Sequence, residues 1–272
     1  MDSEKDELAT LKIERWKKRF SSDRLTLTIA PSLECNMDCP YCYEKKGSIV
    51  ISSETQGLVV EFAKKQLAVF EDVKRLVVNW YGGEPLLQLE VIFTLTKALK
   101  ELCKEKEIEY GATLISNGVL LDGRVAEKLA KECSVSQAQI TIDGIEPVHD
   151  RRRRMKDGSG SFQTIVSNLE SAKKYMGIVV RVNVDRDNIS SIDEMTKYFL
   201  DELKWSKNPL FYLAPVEEVN EGCIIDKTRC FGGEEFAEID MACVKAQYKK
   251  GLSKNLWLTN SWTCALKIYN SQ

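Results

Sequence analysis

The sequence predicts an α/β protein, a partial (β/α)6, TIM-like barrel of parallel strands with helices on the outside. Three observations carry that expectation. Strand-like apolar segments alternate with helical segments through six units, which argues for parallel strands with right-handed crossovers. The strands read as nearly continuous apolar runs, as in sheets covered on both faces. Alternation alone admits either an open doubly wound sheet or a barrel-like sheet. The third observation chooses: polar or special residues gather where the strands finish, and chemistry drawn from several strand ends is the barrel pattern.

The elements follow in order. Residues 4–20 read as a charged amphipathic helix with Leu8, Leu11, Ile13 and Trp16 as its apolar positions. Residues 1–23 are therefore expected as an N-terminal helix ahead of a barrel over 24–250. "RLTLTIA" (24–30) is the first strand and runs straight into a cysteine loop. Residues 53–70 are helical, with Ser53 as N-cap. "RLVVNWY" (75–81) is a strand stopped by Gly82-Gly83, and 86–106 are helical. "YGATLIS" (110–116) is broken by Asn117-Gly118; a helix over 123–133 and the strand "QAQITID" (137–143) follow, ending at Asp143-Gly144. After a polar loop come a helix (161–176), the strand "GIVVRVNV" (177–184), a helix (189–203), the strand "PLFYLAPV" (209–216) and a helix (233–250).

Composition narrows the function. The 272 residues are 43% hydrophobic, enough for a substantial core in one large domain or two small ones. A formal net charge of -2 supplies no basic field for nucleic acid. No apolar run approaches 18 residues, so no membrane span is expected. The polar start "MDSEKDELAT" is unlike a secretory signal. Nine cysteines at this length suit a reducing cytoplasm with thiolates free for metal.

Three of those cysteines crowd into "ECNMDCPYCYE" (34–44), where Cys35, Cys39 and Cys42 read C-x3-C-x2-C. A structural zinc site wants four ligands. The one histidine, His149, is over a hundred residues away, and Cys103 and Cys133 read as buried apolar residues. Three thiolates on one loop suit a 4Fe-4S cluster with one iron open to a non-protein ligand. Spacing alone leaves zinc or structural thiols as the alternative.

The motif, with an aromatic before its last cysteine, resembles the signature of the radical S-adenosylmethionine (radical SAM) enzymes. That resemblance implies the partial barrel, a 4Fe-4S cluster on Cys35, Cys39 and Cys42, and SAM on the open iron. "YGGEP" (81–85) resembles the family's second-strand motif, with Gly82 and Gly83 allowing close backbone approach and Glu84 accepting from the SAM ammonium. "TLISNG" (113–118) resembles the ribose region, implicating Thr113, Ser116 and Asn117. "ITIDGIEPVHDRRRR" (140–154) resembles a stretch of the subgroup that modifies peptides and proteins. It implies Asp143 near SAM and Arg153 as a bidentate clamp on the SAM carboxylate. Arg151, Arg152 and Arg154 are expected in a solvated loop, and His149 as a loop-fixing side chain. Arg181 and Asn183 share a strand face and match the SAM region; Tyr41 stacks near the adenine or simply packs.

The subgroup's C-terminal SPASM or twitch extension carries auxiliary clusters. "WTCALKIYNSQ" (262–272) resembles its opening, with Cys264 as the first auxiliary ligand. Cys223, Cys230 and Cys243 do not reproduce that pattern. The sequence is therefore expected to stop early in the extension (251–272), leaving an auxiliary cluster to a full-length form, and to lack a leader-recognition domain in front. The resemblance implies hydrogen abstraction from a peptide or protein substrate, such as thioether cross-linking, with flavodoxin or ferredoxin as electron donor. Formylglycine formation in a sulfatase, and a silent barrel that only binds a partner, are the alternatives.

Overall fold

Each strand pairs with the next one the chain makes. A computed structural model describes residues 13, 23–44, 47–70, 72–205, 211–217 and 227–250. Its strands β1 (Arg24–Ile29), β2 (Arg75–Trp80), β3 (Glu109–Ser116), β4 (Val135–Thr141), β5 (Gly177–Val184) and β6 (Phe211–Pro215) form one sheet. Its order is β1-β2-β3-β4-β5-β6, with every pair parallel. A doubly wound sheet reverses its order at a switch point. This order never reverses, so crossovers of one hand lay the helices on one face, and the sheet curls into the expected half-barrel.

The helices are α1 (Ser53–Val69), α2 (Leu89–Glu105), α3 (Gly123–Cys133), α4 (Glu146–Arg152), α5 (Phe162–Ala172), α6 (Ile192–Lys197) and α7 (Gly233–Lys249). Period-two alternation divides each strand between two environments. Leu76, Val78, Trp80, Leu114, Ile140, Val180 and Val182 are buried on the face under the helices. The opposite, concave face carries Asn79, Thr113, Gln139, Arg181 and Asn183, all half-buried. The strands are thus less uniformly apolar than a two-sided core requires, and the polar positions mark the open side.

Several local expectations change. Ser52, not Ser53, caps α1, its hydroxyl accepting from the Thr55 amide at 3.1 Å. The helix after β2 begins with a 3-10 turn, Pro85–Gln88, because Pro85 suits a first helical turn. β4 ends at Thr141, which leaves Asp143 on the loop beyond the strand. The polar loop holds a helix, α4, with Pro147 in its first turn. The segment after β5 divides into a 3-10 turn, α6 and a π turn. The expected helix over 1–23, the extension over 251–272, Cys223 and Cys264 lie outside the described residues, apart from Ile13 and Asp23. Among the described residues no helix is long and apolar enough to cross a membrane.

Candidate active site

The cysteine loop leaves β1 and is held from three sides. The Cys42 amide bonds the Cys39 carbonyl at 3.2 Å, closing the turn between them. Met37, fully buried, forms an antiparallel bridge with Met155. The flanking bonds, Asp38 N to Arg154 O and Lys156 N to Asn36 O, fasten the loop to the segment after α4. Asn117, at the end of β3, donates to Asn36 Oδ1 at 2.7 Å and lies 3.8 Å from Cys35 Sγ. Cys35 is buried, while Cys39 and Cys42 are half-buried. Burial pushes the Cys39 thiol up, against the pull of Arg153; Asp143, Cys35 and Cys42 add to the rise.

The loop after β2 is packed directly against this one. A Cβ on Gly82 would sit 2.4 Å from the Ser32 carbonyl oxygen, and one on Gly83 would sit 2.3 Å from that of Glu34. Both glycines therefore admit the chain's own backbone, and Gly83 N bonds Ser32 O at 3.1 Å. Glu84, fully buried, ties three segments together. Its carboxylate accepts from Leu86 N at 3.0 Å, Asn117 N at 2.8 Å and the Ser116 hydroxyl at 2.9 Å. Burial pushes its pKa up, opposed by those donors and by Arg153. Thr113 stands apart on the concave face, donating to Asn79 at 2.8 Å.

Asp143 is the hub of the third cluster. Its carboxylate accepts from the Tyr41 hydroxyl and from the Asn183 amide at 3.0 Å, and ion-pairs with Arg152 at 3.6 Å. Tyr41 accepts in turn from Arg153 at 2.6 Å, and the Arg152 guanidinium lies 5.1 Å from its ring centroid. Arg152 is buried against Asp185, both of whose oxygens lie within 2.9 Å of Nη1. The expectation of a solvated loop fails at Arg152, because a carboxylate on the next strand's end neutralises it; Arg151 and Arg154 are exposed as expected. Arg153 is buried beside Cys39, and its Nε has no hydrogen-bond partner among the described residues.

His149 lies on α4 and ties down the loops on either side of it. Its Nδ1 accepts from the Asp143 amide at 3.3 Å, and its Nε2 lies 3.0 Å from Ser161 Oγ, which donates onward to the Arg153 carbonyl. That chain requires the neutral ring with hydrogen on Nε2. Burial, then Arg153 and Arg152, hold its pKa well below the ordinary histidine range.

Cys35, Cys39, Cys42, Tyr41, Glu84, Ser116, Asn117, Asp143, Arg153 and Asn183 thus meet at the carboxyl ends of the strands. Arg181 joins the group through Asn183, its Nε donating to Asn183 Oδ1 at 2.8 Å. Sequence reasoning missed Arg152, Asp185, Ser161 and Asn188, whose amide holds the Asp143 and Asn183 carbonyls. Only the Asp-x-x-Asn spacing of Asp185 and Asn188 hinted at a loop-capping role.

The sequence pattern of the radical SAM superfamily matches residues 29–199, over half of the chain. This chain belongs to the radical SAM superfamily. Among curated relatives, it is 26% identical over 218 residues to "Fe-coproporphyrin III synthase" of Methanosarcina barkeri, covering 78% of this chain and 51% of that protein. It is 23% identical over 189 residues to the cysteine-type anaerobic sulfatase-maturating enzyme of Clostridium perfringens, covering 65% and 49%. In fold it resembles anSMEcpe solved with bound AdoMet and a peptide, with a TM-score of 0.68 at 20% identity, covering 85% of this chain and 62% of that one. Streptococcus suis SuiB bound to its precursor peptide gives 0.61 at 16% identity, covering 90% and 51%. The chain spans about half the length of the curated relatives it matches.

The radical SAM donor set fits its cofactors. Among the described residues no three Cys, His, Asp or Glu side chains converge on a single metal position. Arg153 Nε, like Arg152 Nε, is a buried donor with no hydrogen-bond partner among the described residues, and a carboxylate-bearing ligand would satisfy the one on Arg153.

Proposed function

We propose that this radical SAM chain acts on a side chain of a peptide or protein, within a reducing cytoplasm. The observation that carries the reading is one loop with three thiols, of which Cys39 feels the buried Arg153 guanidinium, whose Nε has no hydrogen-bond partner among the described residues. The peptide-bound neighbours and the sulfatase-maturating relatives support the substrate class. Cys35, Cys39 and Cys42 would hold a 4Fe-4S cluster. Arg153 would take the SAM carboxylate and Glu84 its ammonium, with Ser116, Asn117, Thr113, Asn183 and the Gly82-Gly83 backbone around the nucleoside. Bound together, the two cofactors supply a 5′-deoxyadenosyl radical that takes a hydrogen atom from the substrate.

The chain's own residues supply position and charge. Arg153 presents a planar fork to a carboxylate. Glu84 favours a cation, because an ammonium beside a buried carboxylate lowers the pKa that burial raises. Asp143 and Arg152 hold the Tyr41 ring and hydroxyl, so Tyr41 supports Arg153 from behind. Tyr43 and Tyr81 touch through their hydroxyls beside the cysteine loop.

Thioether cross-linking of a peptide is the favoured reaction. Oxidation of a sulfatase Cys or Ser to formylglycine is the second reading, favoured by the two sulfatase-maturating relatives. Flavodoxin or ferredoxin is the proposed electron donor. Cys264 is proposed as the first auxiliary-cluster ligand of a longer, SPASM-bearing form. Anaerobic reconstitution tests the core of this reading. The expected result is about four irons and four sulfides per chain, then 5′-deoxyadenosine on reduction with SAM, both lost in Cys39→Ala. Zinc without sulfide overturns it; a full cluster that never yields 5′-deoxyadenosine selects the silent barrel.

A further inference from the structure

The concave face of the half-barrel is polar but almost uncharged toward its carboxyl end. From β1 to β6 its inward positions there are Thr28, Asn79, Ile115, Gln139, Asn183 and Ala214, with Arg181 the one charge among the strands' described residues in this half. Arg181 is half-buried. It makes no ion pair with any described residue. Its Nε is held by Asn183 Oδ1 at 2.8 Å, and Tyr212 is its neighbour across the β5–β6 register. Tyr212 is fixed in turn by donating to Gln139 at 2.7 Å. The fork is thus pre-oriented by neutral groups, which position it without neutralising it. A half-buried guanidinium in a neutral lining favours a carboxylate brought from outside, in bidentate geometry.

Asp143, an acid of the site, is already engaged: it serves Tyr41, Asn183 and Arg152. The SAM carboxylate has a better-placed partner. Arg153 acts directly on Cys39, whereas Arg181 is linked to the cluster loop through Asn183 and Tyr41. We infer that Arg181 is the recognition point for a carboxylate carried by the substrate, so that the substrate presents an acidic side chain or a free C-terminus inside the half-barrel. This rests on the radical SAM reading above, in which the concave face is the substrate chamber.

Phenylglyoxal labelling of arginines in the anaerobically reconstituted full chain, read by mass spectrometry, tests it. The probes are N-acetylglutamate N-methylamide for a side-chain carboxylate, N-acetylalanine for a terminal one, and N-acetylglutamine N-methylamide as the neutral isostere. Each is added in the presence of SAM. A carboxylate probe with a Kd of about 1 mM, present at about 10 mM, should slow Arg181 labelling about tenfold, and the neutral isostere should not. Whichever carboxylate protects identifies the source. Equal protection by the glutamine analogue, no protection by either carboxylate, or full protection by SAM alone each overturns the inference. Iron, sulfide and SAM binding measured on the same sample separate the two failures. A chain with cluster and SAM but no protected arginine refutes only the inference; a chain that takes up no iron refutes the functional reading and the inference with it.

Discussion

Acidification from about pH 7.5 to about pH 5.5 should destabilise the fold through one side chain, His149, the chain's only histidine. The ring is fully buried, accepts at Nδ1 from the Asp143 amide, and sits under the charges of Arg152 and Arg153. A proton on Nδ1 would break that bond and add a third cation, so the folded pKa lies well below the ordinary ~6.5 of histidine. The unfolded chain takes up the proton and the folded chain does not. Stability is therefore full above ~6.5 and falls as the pH drops below it, by about 1.4 kcal/mol at pH 5.5. For a chain of this size that is a fall of about 3–5 °C in Tm. Glu84 acts in the opposite sense, since burial raises its pKa, so the comparison must be made against a variant. His149→Asn keeps an acceptor near the Asp143 amide but cannot titrate. Thermal melts of both proteins at both pH values provide the assay. An equal fall in Tm for wild type and His149→Asn would refute the reasoning.

Three further outcomes follow from the packing. Asp185→Ala leaves Arg152 buried with Asp143, at 3.6 Å, as its one remaining carboxylate among the described residues, and should cost about 3 kcal/mol by urea denaturation, whereas Asp185→Asn should cost less. Gly83→Ala drives a Cβ against the Glu34 and Leu33 carbonyls. It should lower stability by at least about 1–3 kcal/mol and reduce iron uptake; a variant that melts like the wild type would contradict the close loop packing. Gly57→Ala, in α1 with nothing within 4 Å of the added methyl, should gain about 0.5–1 kcal/mol in the same melts.

The local pattern was enough for some elements and failed at others for identifiable reasons. β2 and β5 were legible because a run of branched and aromatic residues between turn formers has few alternatives. α4 was hidden: its buried residues are His149 and Arg152, so no apolar stripe marks it, and Pro147 reads as a loop residue until it falls in a first turn. The segment after β5 changes helical pitch twice, which a single period cannot describe. In the site, Cys35, Cys39, Cys42 and Glu84 were visible because their spacing or their glycine neighbours are local features. The roles of Asp143 and Arg152 were not, because Tyr41 and Asn183, which bind Asp143, and Asp185, which binds Arg152, lie between about thirty and a hundred residues away in the chain.

By itself, the sequence determined the alternation of six strands with helices, the thiol-rich loop after the first of them, and the polar residues at the strand ends. Those follow from short-range chemistry: side-chain periodicity, turn formers and the spacing of like residues. Only the tertiary structure decided that two adjacent arginines have different duties. Arg152 is neutralised by Asp185 and Asp143, while Arg153 donates to Tyr41 and acts on Cys39. It alone also separated Arg181, on the neutral concave wall, from both. A guanidinium's role depends on which carboxylates the fold brings within reach, and that distance is a property of the packed chain rather than of its neighbours in sequence.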